Sequence, residues 1–108
     1  MSFLSAHVLD ASTGTPAAGV EVSLTGVDGT PLAAATTDAN GRVPDLGPDT
    51  LAPGDYCVSF AIGAYFARQE QDCFYPVVEV HFTVRATESH YHIPLLASPF
   101  AYTTYRGS

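Results

Sequence analysis

Three histidines, one arginine and the chain end carry residue types suited to acid–base chemistry. His7 falls in the first strand-like segment, and His90 and His92 are two residues apart near the end, so on a strand they share a face. Arg42 follows the turn residues Asn40 and Gly41, and the chain closes on Tyr105, Arg106, Gly107 and Ser108. Imidazole titrates near neutrality, so it takes a proton from water and returns one to a leaving nitrogen. A guanidinium holds planar, oxygen-rich ligands and stabilises charge that develops on a carbonyl oxygen. Such a set is suited to hydrolysing a cyclic amide.

Divalent-metal binding is the competing chemistry. His90 and His92 could chelate an ion on one strand face, with His7 as a third imidazole. Spacing alone does not separate the two readings, but the chain offers no obvious Cys or carboxylate ligand to complete the set. The expectation is a site without a required metal. Which imidazole acts as the base is left open by the sequence. His81 shares a polar strand face with Glu79 and Thr83 and reads as solvated, and His90 reads as a rim residue. Arg68 and Arg85 read as surface charges.

The elements that must position these groups are short strands punctuated by Gly, Pro, Asp and Asn. Leu4, Ala6 and Val8 alternate with Ser5, His7 and Leu9, which places His7 on the face away from the core. Further strands are predicted at Val20–Thr25, Leu32–Thr37, a short stretch from Arg42, Asp55–Ala61, Val77–Arg85, His90–Ala97 and Phe100 to about Arg106. Thr13 to Pro16 reads as a turn that ends the first strand, and Asp28-Gly29 reads as a tight hairpin. Ile62–Gln71 is the one stretch that reads as a short helix. Strands with turns every 8–12 residues predict an all-β, two-sheet sandwich of seven or eight strands with one short helix.

At 108 residues the chain suits a single domain spanning 1–108, and 46% hydrophobic with 14% charged residues suits a compact core. The net charge of −7, with four arginines and no lysine, argues against nucleic acid as a partner. No apolar run approaches the ~20 residues that cross a bilayer, so no membrane partner is expected. Met1–Asp10 lacks the cationic flank and apolar core of a signal peptide. With only Cys57 and Cys73, and no CxxC spacing, reduced thiols in a cytoplasmic protein are expected.

Several phrases together resemble the transthyretin-like proteins. They are Ala6-His7-Val8-Leu9-Asp10 with Gly14-Thr15-Pro16-Ala17, Thr37 to Arg42, Gly63 to Phe66, Phe74-Tyr75-Pro76, His90 to Leu96, and Thr104 to Ser108. The resemblance spans essentially the whole chain. His7, Arg42, His92 and the terminal tetrapeptide are similar to the enzyme branch of the family, the 5-hydroxyisourate hydrolases, because the hormone-carrier branch lacks these histidines and continues past the terminal motif. The resemblance implies a transthyretin/prealbumin-like sandwich that assembles as a homotetramer with active sites in an intersubunit channel. It also implies hydrolysis of 5-hydroxyisourate to 2-oxo-4-hydroxy-4-carboxy-5-ureidoimidazoline in urate (purine) degradation, with no organic cofactor. His7, Arg42, His92 and Ser108 map onto catalytic positions, and His7, Arg42, Tyr105 and Arg106 onto substrate contacts. The alternatives are a non-catalytic carrier of small aromatic ligands in the same channel, and an extracellular adhesion or carbohydrate-associated module that would leave the imidazoles idle.

Overall fold

The computed structural model describes residues 3–86 and 88–107. Among these residues are nine strands and one helix: β1 (Leu4–Asp10), β2 (Thr15–Pro16), β3 (Glu21–Gly26), β4 (Pro31–Thr36), β5 (Arg42–Val43), β6 (Gly54–Phe60), α1 (Ile62–Ala67), β7 (Val78–Val84), β8 (Tyr91–Ser98) and β9 (Ala101–Thr104). Eight strands fall where alternation predicts them. The ninth, β2, lies inside the segment read as a turn; two residues carry no periodicity to read.

The strands form two sheets. One runs β4-β3-β6-β7, and the other runs β2-β1-β8-β9, with β5 also paired to β1. Leu4, Ala6 and Val8 of β1 and Ile93, Leu95 and Ala97 of β8 are buried against Val22, Leu24, Val58, Phe60 and Val78 of the facing sheet. Burying these side chains contributes roughly 1.5–3 kcal/mol for each large one. The odd-numbered positions Ser5, His7 and Leu9 consequently face outward and are half-buried.

The predicted helix Ile62–Gln71 is shorter in the structure and ends at Ala67. Glu70 then takes a positive φ of 57°, and the Gln71 amide turns back to the Phe66 carbonyl, which closes the segment. Six residues without a side-chain cap would not hold a helix alone. Its buried face, Ile62, Tyr65 and Phe66, supplies the anchor. Tyr65 Oη also donates to Asp10 Oδ2 at 2.9 Å, tying α1 to the end of β1 across the core. No helix among the described residues is long and apolar enough to cross a membrane.

Candidate active site

The strand pairings bring together side chains that are far apart in sequence. β1 pairs in parallel with β8, setting Ser5 opposite His92 and His7 opposite Pro94. On its other edge β1 pairs antiparallel with β5, setting His7 opposite Arg42. Residues opposite one another project to the same face. Ser5, His7, Arg42 and His92 therefore share the outward face of this sheet.

The turn before Arg42 fixes its position. Asp38 Oδ1 accepts from the amides of Asn40 at 2.8 Å and Arg42 at 3.0 Å, and the Gly41 amide donates to the Asp38 carbonyl at 2.9 Å. Gly41 has φ +73°, and a Cβ there would collide with the Val8 carbonyl, whose strand it abuts. Only glycine serves at 41 on both counts. The Gly41 carbonyl in turn accepts from the Val8 amide at 2.7 Å, which sets the turn against β1.

The rings of His7 and His92 have centroids 6.5 Å apart. His92 is half-buried, and its pKa is lowered from the ordinary 6.5, first by desolvation and then by the positive charge of Arg42 and the neighbouring His7 and His90. These causes favour the neutral imidazole, the form that accepts a proton. Ser5 Oγ lies 2.7 Å from His92 Nδ1 and 3.1 Å from His90 Nε2. His90, an expected rim residue, is exposed but joined to the cluster through this hydroxyl. Ser5, Arg42, Pro44, Asp45, His90 and His92 line a shallow concavity of about 400 Å³.

Sequence reasoning placed Ser5 on the face of His7 but assigned it no role. The signal was its matching parity on β1; the missing fact was the parallel β1–β8 register, which nothing local encodes.

The tail departs from expectation in detail. β9 ends at Thr104, two residues short of the predicted limit, and Gly107 then re-pairs with His92, its amide donating to the His92 carbonyl at 2.9 Å. The need for glycine at 107 is one of space: a Cβ would run into the His92 ring, and Gly107 is not among the glycines of positive φ. The register Leu95↔Thr104 and His92↔Gly107 places Tyr105 opposite Pro94, on the histidine face, and Arg106 opposite Ile93, on the other. Tyr105 is 58% exposed. Arg106 lies with its Cζ 4.6 Å from the Tyr91 ring centroid and its Nη1 3.3 Å from Glu88 Oε1. Within one chain the guanidinium therefore lies in a second concavity between β7 and the β8–β9 pair, which His92 also lines, and not in the one that Arg42 lines. Ser108 lies outside the described residues.

An imidazole pushed toward its neutral form, a second imidazole and a guanidinium on one sheet face suit acid–base hydrolysis. The chain belongs to the HIUase/Transthyretin family, whose model matches residues 4–107. It is 46% identical to the 5-hydroxyisourate hydrolase of Salmonella dublin over 99% of this chain and 82% of that protein. The solved 5-hydroxyisourate hydrolase of Klebsiella pneumoniae superposes with a TM-score of 0.92 at 42% identity, covering 100% of both chains. Sea bream transthyretin in complex with thyroxine superposes with a TM-score of 0.90 at 36% identity, covering 97% of this chain and 94% of that one.

Proposed function

We propose that this chain hydrolyses 5-hydroxyisourate to 2-oxo-4-hydroxy-4-carboxy-5-ureidoimidazoline, a step of urate degradation. The observation that carries the reading is the convergence of His7, Arg42 and His92 on one sheet face, with His92 held toward its neutral form. Neutral His92 takes a proton from water as the oxygen attacks the ring carbonyl carbon. Arg42 stabilises the oxyanion that forms. The carbonyl carbon–nitrogen bond then breaks, His7 delivers a proton to the departing nitrogen, and the proton taken up by His92 passes through water to His7, so that both imidazoles end as they began. Water is consumed, one ring opens, and neither oxidant nor cofactor enters the balance.

The working unit in this reading is a homotetramer in the cytoplasm. Among the described residues β7 and β9 each end a sheet with one unpaired edge, and Phe100 beside β9 and Tyr102 within it are exposed. Such edges invite pairing with a second copy. The histidine face, with half-buried Leu9 and Leu96 on it, suits a wall of an intersubunit channel. Arg106, on the other face within one chain, enters the site through that assembly, where the tail of one chain meets the channel. A carrier of small aromatic ligands would use the same channel but would have no use for two imidazoles beside a guanidinium.

The deciding experiment is an ultraviolet assay of freshly generated 5-hydroxyisourate with and without the protein. Decay faster than the spontaneous reaction, in proportion to protein, is expected. Decay at the spontaneous rate would overturn the enzyme reading and leave the carrier.

A further inference from the structure

The sheet β4-β3-β6-β7 lies on the far side of the core from the histidine face, and its outward surface holds a second cluster with chemical capacity. The β6–β7 register sets Cys57 directly opposite His81 and Ser59 opposite Glu79. Cys57 is a free, buried thiol, whereas Glu79 and His81 are exposed. The ligand atoms of Cys57, Glu79 and His81 all lie within 4.8 Å of one another. Asp55, the nearby carboxylate on the same strand face, already accepts a hydrogen bond from Thr83 at 2.7 Å.

We propose that Cys57, Glu79 and His81 form a zinc site that clips the edge strand β7 to β6, separate from the hydrolytic centre. A thiolate, an imidazole and a carboxylate are the donor types a borderline-soft divalent ion takes, with water completing a tetrahedron. Bonds of about 2.0–2.3 Å place tetrahedral ligand atoms roughly 3.5 Å apart. The exposed Glu79 and His81 side chains close the remaining ångström by rotating toward Cys57. Binding expels the Cys57 thiol proton to solvent, so affinity rises with pH. The net charge of −7 draws cations to the surface. Strand side chains stand perpendicular to the sheet, so edge pairing of β7 with a second copy leaves the site facing outward.

The test is titration of the purified full chain with Co²⁺, a spectroscopic stand-in for zinc, followed by the thiolate-to-cobalt charge-transfer absorption in the near ultraviolet. Saturation at one ion per chain is expected, with displacement by Zn²⁺. The band should vanish in Cys57→Ser and persist in Cys73→Ser, and His81→Asn and Glu79→Gln should each weaken binding at least about tenfold. The two surface variants keep the hydrolytic face intact, so an unchanged rate with 5-hydroxyisourate certifies their fold. Zn²⁺ should also raise the Tm of the native chain by more than that of His81→Asn at the same zinc concentration. A native chain without the band, a band that survives Cys57→Ser, or native affinity in both surface variants would overturn the site. Metal bound only at the histidine face would give no thiolate band, so that outcome is distinguished.

Discussion

Ser5 and His92 are joined across the parallel β1–β8 pair by a hydrogen bond of 2.7 Å between Oγ and Nδ1. The same Oγ reaches His90 Nε2 at 3.1 Å. A hydroxyl has one proton to donate, so the two contacts constrain each other. If His92 Nδ1–H donates to Ser5, the Ser5 hydroxyl donates onward to His90, and His92 Nε2 keeps its lone pair. That tautomer is the one able to act as a base through Nε2. In the proposed mechanism Ser5 is thus a positioning residue for the imidazole. Ser5→Ala should lower kcat/KM about tenfold, a loss of ~1.4 kcal/mol in transition-state stabilisation, whereas Ser5→Thr keeps the hydroxyl and most of the rate. Steady-state kinetics across pH would check this; a Ser5→Ala enzyme at full rate would remove Ser5 from the mechanism.

The pH dependence follows from the same histidine. Its pKa in the folded chain lies below 6.5, with desolvation first and Arg42 second among the causes. The acid limb of kcat/KM should therefore fall below pH 6.5, and Arg42→Gln should move it upward. Stability carries the matching sign. Above about pH 6.5 His92 is neutral in both folded and unfolded chains and contributes no difference. As pH falls below that value the unfolded chain binds the proton first, so the folded state loses stability until the folded pKa is passed. Thermal melts of His92→Asn should show a shallower decline than native protein over that window. An equal decline would place the acid sensitivity elsewhere.

Replacing either imidazole should cost far more activity than stability. His7→Asn and His92→Asn are each expected to lower kcat/KM by about 10²-fold or more, the scale of a lost acid or base. His81→Asn, on the opposite sheet, should match the native rate, and so should native protein treated with a chelator, since the proposed mechanism uses no metal. A deficit in His81→Asn equal to that of His92→Asn would reverse the assignment of faces. Activity restored to chelated enzyme only by zinc would install a metal at the histidines.

How much of this was legible beforehand depended on whether the signal was local. The alternation of Leu4, Ala6 and Val8 with Ser5 and His7 encodes which way His7 points, and Asp38 to Gly41 encode the turn that delivers Arg42. Both are short-range patterns with short-range causes. The pairing of β1 with β8 joins residues more than eighty positions apart, and it is what makes neighbours of Ser5, His90 and His92. No periodicity carries it. Arg106 shows the same limit from the other side. Its residue type suggests a substrate contact, but its face is decided by the register Leu95↔Thr104, which gives it the parity of Ile93 rather than of His92. The Cys57, Glu79 and His81 cluster was equally invisible, because the β6–β7 register alone brings a thiol beside a face that reads as ordinary polar surface.

The chain end offers the sharpest test of how the site is closed. Gly107 pairs with His92, and a side chain at 107 would occupy space already filled by the imidazole ring. Gly107→Ala must therefore displace either the tail or the ring that carries the base. Because the pair sits at the edge of the sheet and outside the core, the sandwich should keep its Tm to within a few degrees, as surface substitutions usually do. Activity should fall roughly tenfold or more, since small displacements of a catalytic group are costly. Deleting Arg106 to Ser108 removes the pairing altogether and should abolish most activity while far-ultraviolet circular dichroism stays native. A tag appended after Ser108 should obstruct the same place, and one before Met1 should interfere less. If Gly107→Ala and the tagged chain both retained full kcat/KM, the tail would be an ordinary strand end, and His92 would owe its position to Ser5 and the β1–β8 pairing alone.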